Sequence, residues 1–201
     1  MRRLTRLWRM LMESGPNVVF KTIKMRLKRI FAKEAHIVLR YEQGNAGIRL
    51  MNGVAYKEYA HLSDIPVEDI RQIGETIGDQ QAEKMFHLFE QGATFWLIDI
   101  EKKVVGYWWS IPGKLLKQWY IPLEDGDVVF YSAMVLPEWR GHSISPAVLI
   151  QIIEKKMPKN ISVYLDVETW NESAIKAWLK AGFVQLGAYP AIDRTSSAGS
   201  C

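Results

Sequence analysis

Apolar residues arrive along this chain in short blocks whose period keeps changing. Thr94–Ile100 and Val104–Ser110 are runs rich in aromatic and β-branched side chains, and only Glu101-Lys102-Lys103 separates them, which predicts a β-hairpin. His36–Tyr41, Asp127–Leu136, Ile161–Val167 and Phe183–Ala188 read as further strands. Between them the period turns helical. Ser63-Asp64-Ile65-Pro66 has cap and turn chemistry and introduces a helical region over Val67–Gln91, interrupted near Gly78-Asp79. Two more helices are expected over Pro146–Met157 and Glu172–Ala181. The order β, α, β-β-β, α, β, α, β predicts an α/β (mixed α+β) domain, a central mixed sheet flanked by helices. The crossover from the 127–136 strand to the 161–167 strand should be parallel and right-handed.

The first 34 residues follow another rule. Leu4, Leu7, Trp8 and Leu11 fall on one helical face, Ser14-Gly15-Pro16-Asn17 breaks the run, and Phe20, Ile23, Leu27, Ile30 and Phe31 form a second stripe. This stretch carries ten Lys/Arg against two acids, a balance of +8, while the rest of the chain is −4. Two short basic amphipathic helices are the expectation for residues 1–34. They suit an anionic membrane surface, where each cation near the lipid adds about 1 kcal/mol. They equally suit docking of the apolar stripes on the body or on a protein partner, with the cations in water. No nucleic-acid-binding motif accompanies the charge, which argues against a nucleic acid partner. The recurring charges also exclude a secretory signal.

Composition narrows the class further. With 201 residues, 48% hydrophobic and 24% charged, the chain has room for one substantial domain and an appendage, and disorder or low complexity is excluded. The single cysteine, Cys201, allows no intrachain disulfide and no cysteine zinc cluster, and points to a reducing, cytoplasmic compartment. No uncharged run approaches the roughly 18–20 residues of a membrane span. Nothing in the sequence indicates an oligomeric state.

Chemistry concentrates where the 127–136 strand gives way to a helix. Ser145 reads as the N-cap and Pro146 as the first helical residue. Free N–H groups and the helix dipole make a seat for a phosphate or diphosphate, and Arg140 adds a cation. A tight turn with a solvated arginine reads equally well from this segment alone. Downstream, Asn171, Ala174, Trp178, Gly182 and Phe183 stand at the spacing of the second signature of the GNAT N-acetyltransferase superfamily, which this chain resembles over roughly residues 93–188. The segment from Arg140 resembles the superfamily's acetyl-CoA loop, with Ser143 and Ser145 at its two glycine positions. The resemblance implies a GNAT-like domain over residues 35–201 that uses acetyl-CoA as co-substrate, no metal, and a small-molecule amine as acceptor. It places the CoA contacts at Met134, Val135, Arg140, Gly141, His142, Ser143, Ile144, Ser145, Asn171 and Trp178, with a backbone N–H near Val135 meeting the acetyl oxygen. Where many members carry a tyrosine that protonates the departing thiolate, this chain has Trp178, and an indole cannot act as that acid.

For the base, Asp127 lies thirteen residues before Arg140, the place of the catalytic glutamate in the histone-acetyltransferase branch, and Glu168 and Tyr131 are the other candidates. An acidic turn, Glu124-Asp125-Gly126-Asp127, is the plainer reading of Asp127. Trp96, Tyr107, Trp108, Trp109, Trp119 and Tyr120 suit a groove that stacks a sugar, or a core. His36, His61 and His87 have no second ligand at metal spacing and read as surface or core histidines. Together these features predict an N-acetyltransferase acting on an amine, with an amino sugar of surface-polysaccharide synthesis as acceptor and the arm on the inner face of the membrane. The alternative is a non-catalytic acyl-CoA-binding or scaffold protein on the same fold.

Overall fold

The computed structural model describes residues 35–42, 48–116 and 118–192; the arm expected over residues 1–34 lies outside them. Among the described residues the strands are β1 (Ala35–Tyr41), β2 (Val54–Tyr59), β3 (Thr94–Ile100), β4 (Lys103–Pro112), β5 (Val128–Val135), β6 (Val163–Glu168) and β7 (Phe183–Pro190). The helices are α1 (Val67–Ile77), α2 (Asp79–Phe86), α3 (Ile144–Lys156) and α4 (Glu172–Lys180). All seven strands join one mixed sheet in the order β2-β3-β4-β5-β6-β1-β7. Only the β5–β6 pair is parallel, as the α3 crossover requires. The expected hairpin forms between β3 and β4, and Glu101 and Lys102 both take positive φ (51° and 65°), the geometry that matches strand twist.

Alternation along the strands sends side chains into two cores. Leu39, Leu165, Val167 and Phe183 pack beneath α3 and α4 with Val148, Leu149, Ile152 and Trp178. Their neighbours Val38, Phe95, Leu97, Val129 and Tyr164 pack on the opposite face with Ile73 of α1 and Met85 and Phe86 of α2. Central strands buried on both faces read as continuous apolar runs, which is why β3 and β4 were legible in the sequence. β2 was not expected. It is an edge strand paired to β3 alone, and the consecutive Lys57 and Glu58 break its apolar run.

Two irregularities open the sheet. β5 pairs with β6 only over Val128–Phe130 against Val163–Leu165. Beyond that, Trp109 faces Tyr131 while Tyr107 faces Met134, so β5 spends one more residue than β4 over the same span. The extra residue is a bulge at Ser132, which has φ 49°. The bulge bends β5 away from β6. β1, inserted between β6 and β7 and antiparallel to both, brings the first described residues to the edge of that opening.

Where β2 meets α1, the Tyr59 hydroxyl donates to Asp69 Oδ2 at 3.0 Å, and Lys57 Nζ donates to the same oxygen at 3.0 Å. Burial, and then the Asp69 carboxylate, push the Tyr59 phenol from 10.0 up to about 12. A pKa raised by folding contributes stability that is complete below the unfolded value and lost as pH rises toward the folded one. Stability is therefore expected to fall between about pH 10 and about pH 12, and Tyr59→Phe should flatten that decline in urea titrations.

Candidate active site

The opening between β5 and β6 widens into a cleft of about 450 Å³. Tyr131 to Val135 of β5 form one wall and Asp166 to Glu168 of β6 the other; α3 contributes Ser145 and Pro146, α4 contributes Ala174, Ala177 and Trp178, and Asn171 stands at its start. Of the residues singled out from sequence, the cleft gathers Tyr131, Met134, Val135, Ser145, Glu168, Asn171 and Trp178. Arg140, Gly141, His142 and Ser143 lie in the exposed loop that links β5 to α3, and Ile144 is buried under the first turn of that helix.

The loop is held by its own polar contacts. Arg140 Nε donates to the carbonyl of Val135 at 2.9 Å, which ties the loop to the end of β5, and His142 Nδ1 lies 3.3 Å from the carbonyl of Trp139. α3 begins two residues earlier than expected: Ser143, not Ser145, is the N-cap, and Pro146 is the third helical residue. The reason is that Gly141 (φ 86°) and Ser143 (φ 56°) both turn left-handed and bring the chain into the helix sooner. No side chain caps α3. The N–H groups of its first turn, apart from the one Pro146 lacks, are therefore not capped by any side chain, the condition an anion site needs. Ser143 bears a left-handed strain that glycine would not, about 1–2 kcal/mol. Ser143→Gly is expected to raise stability by about 0.5–1 kcal/mol once the extra freedom of the unfolded glycine is offset, visible as a higher Tm.

Asn171 is the N-cap of α4: its Oδ1 accepts from the Ala174 N–H at 3.3 Å and from Ser173 Oγ at 3.1 Å. That leaves the amide NH2 end for a ligand. Trp178 is buried edge-on against Trp108 (5.3 Å between centroids) and Phe183 (5.5 Å).

Asp127 has another job than the one expected. Its carboxylate accepts the Glu124 N–H at 2.8 Å and is 5% exposed, so the plainer reading, an acidic turn, describes it. It precedes Tyr131, the first β5 residue in the cleft, by four residues or roughly 13 Å of strand. The aromatic groove also shrinks. Trp96 and Trp109 belong to the cores, and Trp108, though it reaches the cleft, is 3% exposed. Trp119 and Tyr120, half-buried and set edge to face at 5.0 Å, remain at the surface, with Tyr120 5.8 Å from Tyr189.

Sequence reasoning missed one pair. His36 Nδ1 lies 2.6 Å from Asp166 Oδ2, the Tyr120 hydroxyl donates to the same carboxylate oxygen at 3.4 Å, and the Tyr120 ring stacks on the imidazole at 5.7 Å. Both His36 and Asp166 line the cleft. Glu168 is the cross-strand partner of His36. A carboxylate inside the apolar run Val163–Val167 was the available signal for Asp166. Nothing local signalled His36, because its place depends on pairing across 130 residues. Among the described residues no group of His, Cys, Asp or Glu gathers as a metal site, and no helix is long and apolar enough to cross a membrane.

Comparison with known proteins places this geometry. A family model described as acetyltransferase (GNAT) family matches residues 60–183. Among solved structures, the chain is similar to a GNAT-family acetyltransferase from Colwellia psychrerythraea, at 15% identity and TM-score 0.56 over 78% of this chain and 54% of that one. A tandem GNAT protein from the clavulanic acid biosynthesis pathway matches at 13% identity and TM-score 0.55, over 78% of this chain and 52% of that one. A GCN5-related N-acetyltransferase from Sphaerobacter thermophilus matches at 16% and TM-score 0.51, over 84% and 54%. The chain thus spans about half the length of these three structures. At such identities the likeness is one of fold. No curated protein matches the chain.

Proposed function

The chain belongs to the acetyltransferase (GNAT) family, and from that premise we propose that it transfers an acetyl group from acetyl-CoA to the amine of a small molecule. The observation that carries this reading is the break in the sheet, where the bulge at Ser132 turns β5 from β6 and the uncapped start of α3 stands at the mouth of the slot. In this reading the N–H groups around Ser143, Ile144 and Ser145, with Gly141, Arg140 and His142 beside them, hold the diphosphate. Met134 and Val135 border the pantetheine arm, and the Asn171 amide donates to it. A backbone N–H near Val135, in the bulged half of β5, serves as a one-donor oxyanion site. When bound, acetyl-CoA supplies an acyl carbon made reactive by its sulfur leaving group. Trp178 packs beside that group and gives it no proton, and a thiol of ordinary pKa near 8.5 leaves as thiolate without one.

The cleft wall supports a cationic acceptor. Asp166 and Glu168 face it, and among the described residues no lysine or arginine lines the cleft. That charge favours an amine arriving as a cation and disfavours a phosphate next to it. The Tyr120 ring, stacked on His36 of the cleft wall, suits the apolar face of a sugar. The proposed acceptor is an amino sugar of surface-polysaccharide synthesis, with residues 1–34 holding the enzyme to the inner face of an anionic membrane in the cytoplasm. Tyr131 and Glu168 contribute to the reacting end of the cleft. The second reading, an acyl-CoA-binding protein without turnover, is favoured by Trp178 in the cleft and by the N–H that Pro146 withholds from α3.

Calorimetry with acetyl-CoA, joined to CoA-release assays with glucosamine, amino-sugar nucleotides and peptide amines, tests both. Binding with release on amino sugars supports the transferase. Binding without release on any amine supports the second reading, and acetylation of peptides alone removes the sugar. Absence of acetyl-CoA binding removes both.

A further inference from the structure

We propose that His36, held by Asp166, is the general base of the cleft, and that together with Glu168 the pair selects an acceptor arriving as a protonated primary amine. The inference rests on the acetyl-transfer reading above and assigns within it the group that takes the proton. His36 lies on β1, outside residues 60–183 matched by the family model, so the assignment comes from this chain's own packing.

The geometry is that of an oriented imidazole. The Asp166 side chain is 6% exposed and its Oδ2 is 2.6 Å from His36 Nδ1, whereas the His36 side chain keeps 23% exposure. A carboxylate on Nδ1 fixes the tautomer with its proton there and leaves Nε2 as the acceptor. The stack on Tyr120 holds the ring plane. Among the described residues, the titratable groups that face His36 are Asp166 and Glu168 on β6, Tyr189 on β7, and Tyr120 in the segment after β4. The alternating faces put His36 and Asp166 on the side of the sheet that carries α1 and α2, opposite the side covered by α3 and α4. An amine entering from that side reaches Nε2 of His36 without crossing the proposed diphosphate seat. The other candidates fit less well. Imidazole is the side chain that most often serves as a general base, which a carboxylate such as Glu168 or a phenol such as Tyr131 does less commonly.

The proton balance closes. The incoming ammonium gives one proton to Nε2 of His36. Its nitrogen lone pair then forms the C–N bond to the acyl carbon, and the C–S bond breaks with its electrons on sulfur. The surplus proton on nitrogen ends on the thiolate, and the imidazolium passes its proton to water.

The test uses the full chain, acetyl-CoA, and the amine that the wild type acetylates best in the release assay. His36→Ala and His36→Gln are expected to lower kcat by about 10²–10⁴-fold, the usual contribution of a general base. The acetyl-CoA Kd from calorimetry should stay at the wild-type value, which also reports folding. Asp166→Asn, a positioning change, should lower kcat in the same direction. Added imidazole should restore part of the His36→Ala rate. Hydroxylamine, already neutral at the assay pH, should be acetylated by wild type and variants at similar rates. A pair that merely staples β1 to β6 would shift Tm and show neither rescue nor bypass. Wild-type kcat in both His36 variants, or an equal loss with hydroxylamine, overturns the base and leaves acetyl transfer standing. Failure of the wild type to bind acetyl-CoA or to acetylate any amine overturns the transfer reading and this assignment with it.

Discussion

Gly106→Val is expected to collapse the cleft and to cost the protein much of its stability. Gly106 lies on β4 directly opposite Val135, where β5 returns to pairing after its bulge. A Cβ there would press into the carbonyl oxygen of Met134, closer than nonbonded atoms allow, and would lie 3.2 Å from Val135 Cα. Both neighbours are backbone, so no side chain can swing aside, and the end of β5 must move. Forced overpacking costs about 1–3 kcal/mol and sometimes more, and the branched side chain places this variant at the upper end. Against a total of about 5–15 kcal/mol that is a large share. The moved strand is also the one that borders the proposed pantetheine slot and anchors Arg140 through the Val135 carbonyl. Thermal unfolding and acetyl-CoA calorimetry should show a lower Tm and lost affinity together. A variant with wild-type Tm and wild-type affinity would contradict this account of the bulge.

Trp178→Ala is expected to be the second severe change. The indole is 6% exposed and wedged against Trp108 and Phe183, so truncation leaves a cavity at the junction of α4, β4 and β7. Removing a buried tryptophan costs about 3–5 kcal/mol. Urea unfolding should show that loss, with Trp178→Phe retaining most of the packing. The phenylalanine variant also separates roles. If the indole only packs, Trp178→Phe keeps turnover, as a residue that supplies no proton should. A Trp178→Ala variant as stable as wild type would mean that the ring contacts carry little of the fold.

Local periodicity made much of the fold legible. Val128–Val135 and Val163–Glu168, with a helix of apolar residues between them, could only be a parallel crossover. Asn171 and Ala174 were noted only for their family spacing; the structure gives that spacing a local reason, since the Ala174 N–H donates to Asn171 Oδ1 at 3.3 Å and caps α4. Short-range signals misled where two local structures competed. Ser145-Pro146 is good start chemistry, but the left-handed Ser143 began α3 earlier. Asp127 sat at the right distance from Arg140, yet its carboxylate closes the turn from Glu124. Trp96 and Trp109 looked like a groove and are core, because aromatic density alone carries no direction.

By itself, the order of residues determined α1, α2, α4 and the inner strands, since each depends on contacts between residues a few positions apart, and it carried the spacing that marks the family. The tertiary structure alone decided that β1 lies between β6 and β7, that β5 parts from β6 at Ser132, and that His36 meets Asp166 across 130 positions. The physical reason is that strand partners are chosen by burial and register over the whole sheet, where no period within the chain records which edge a strand will find.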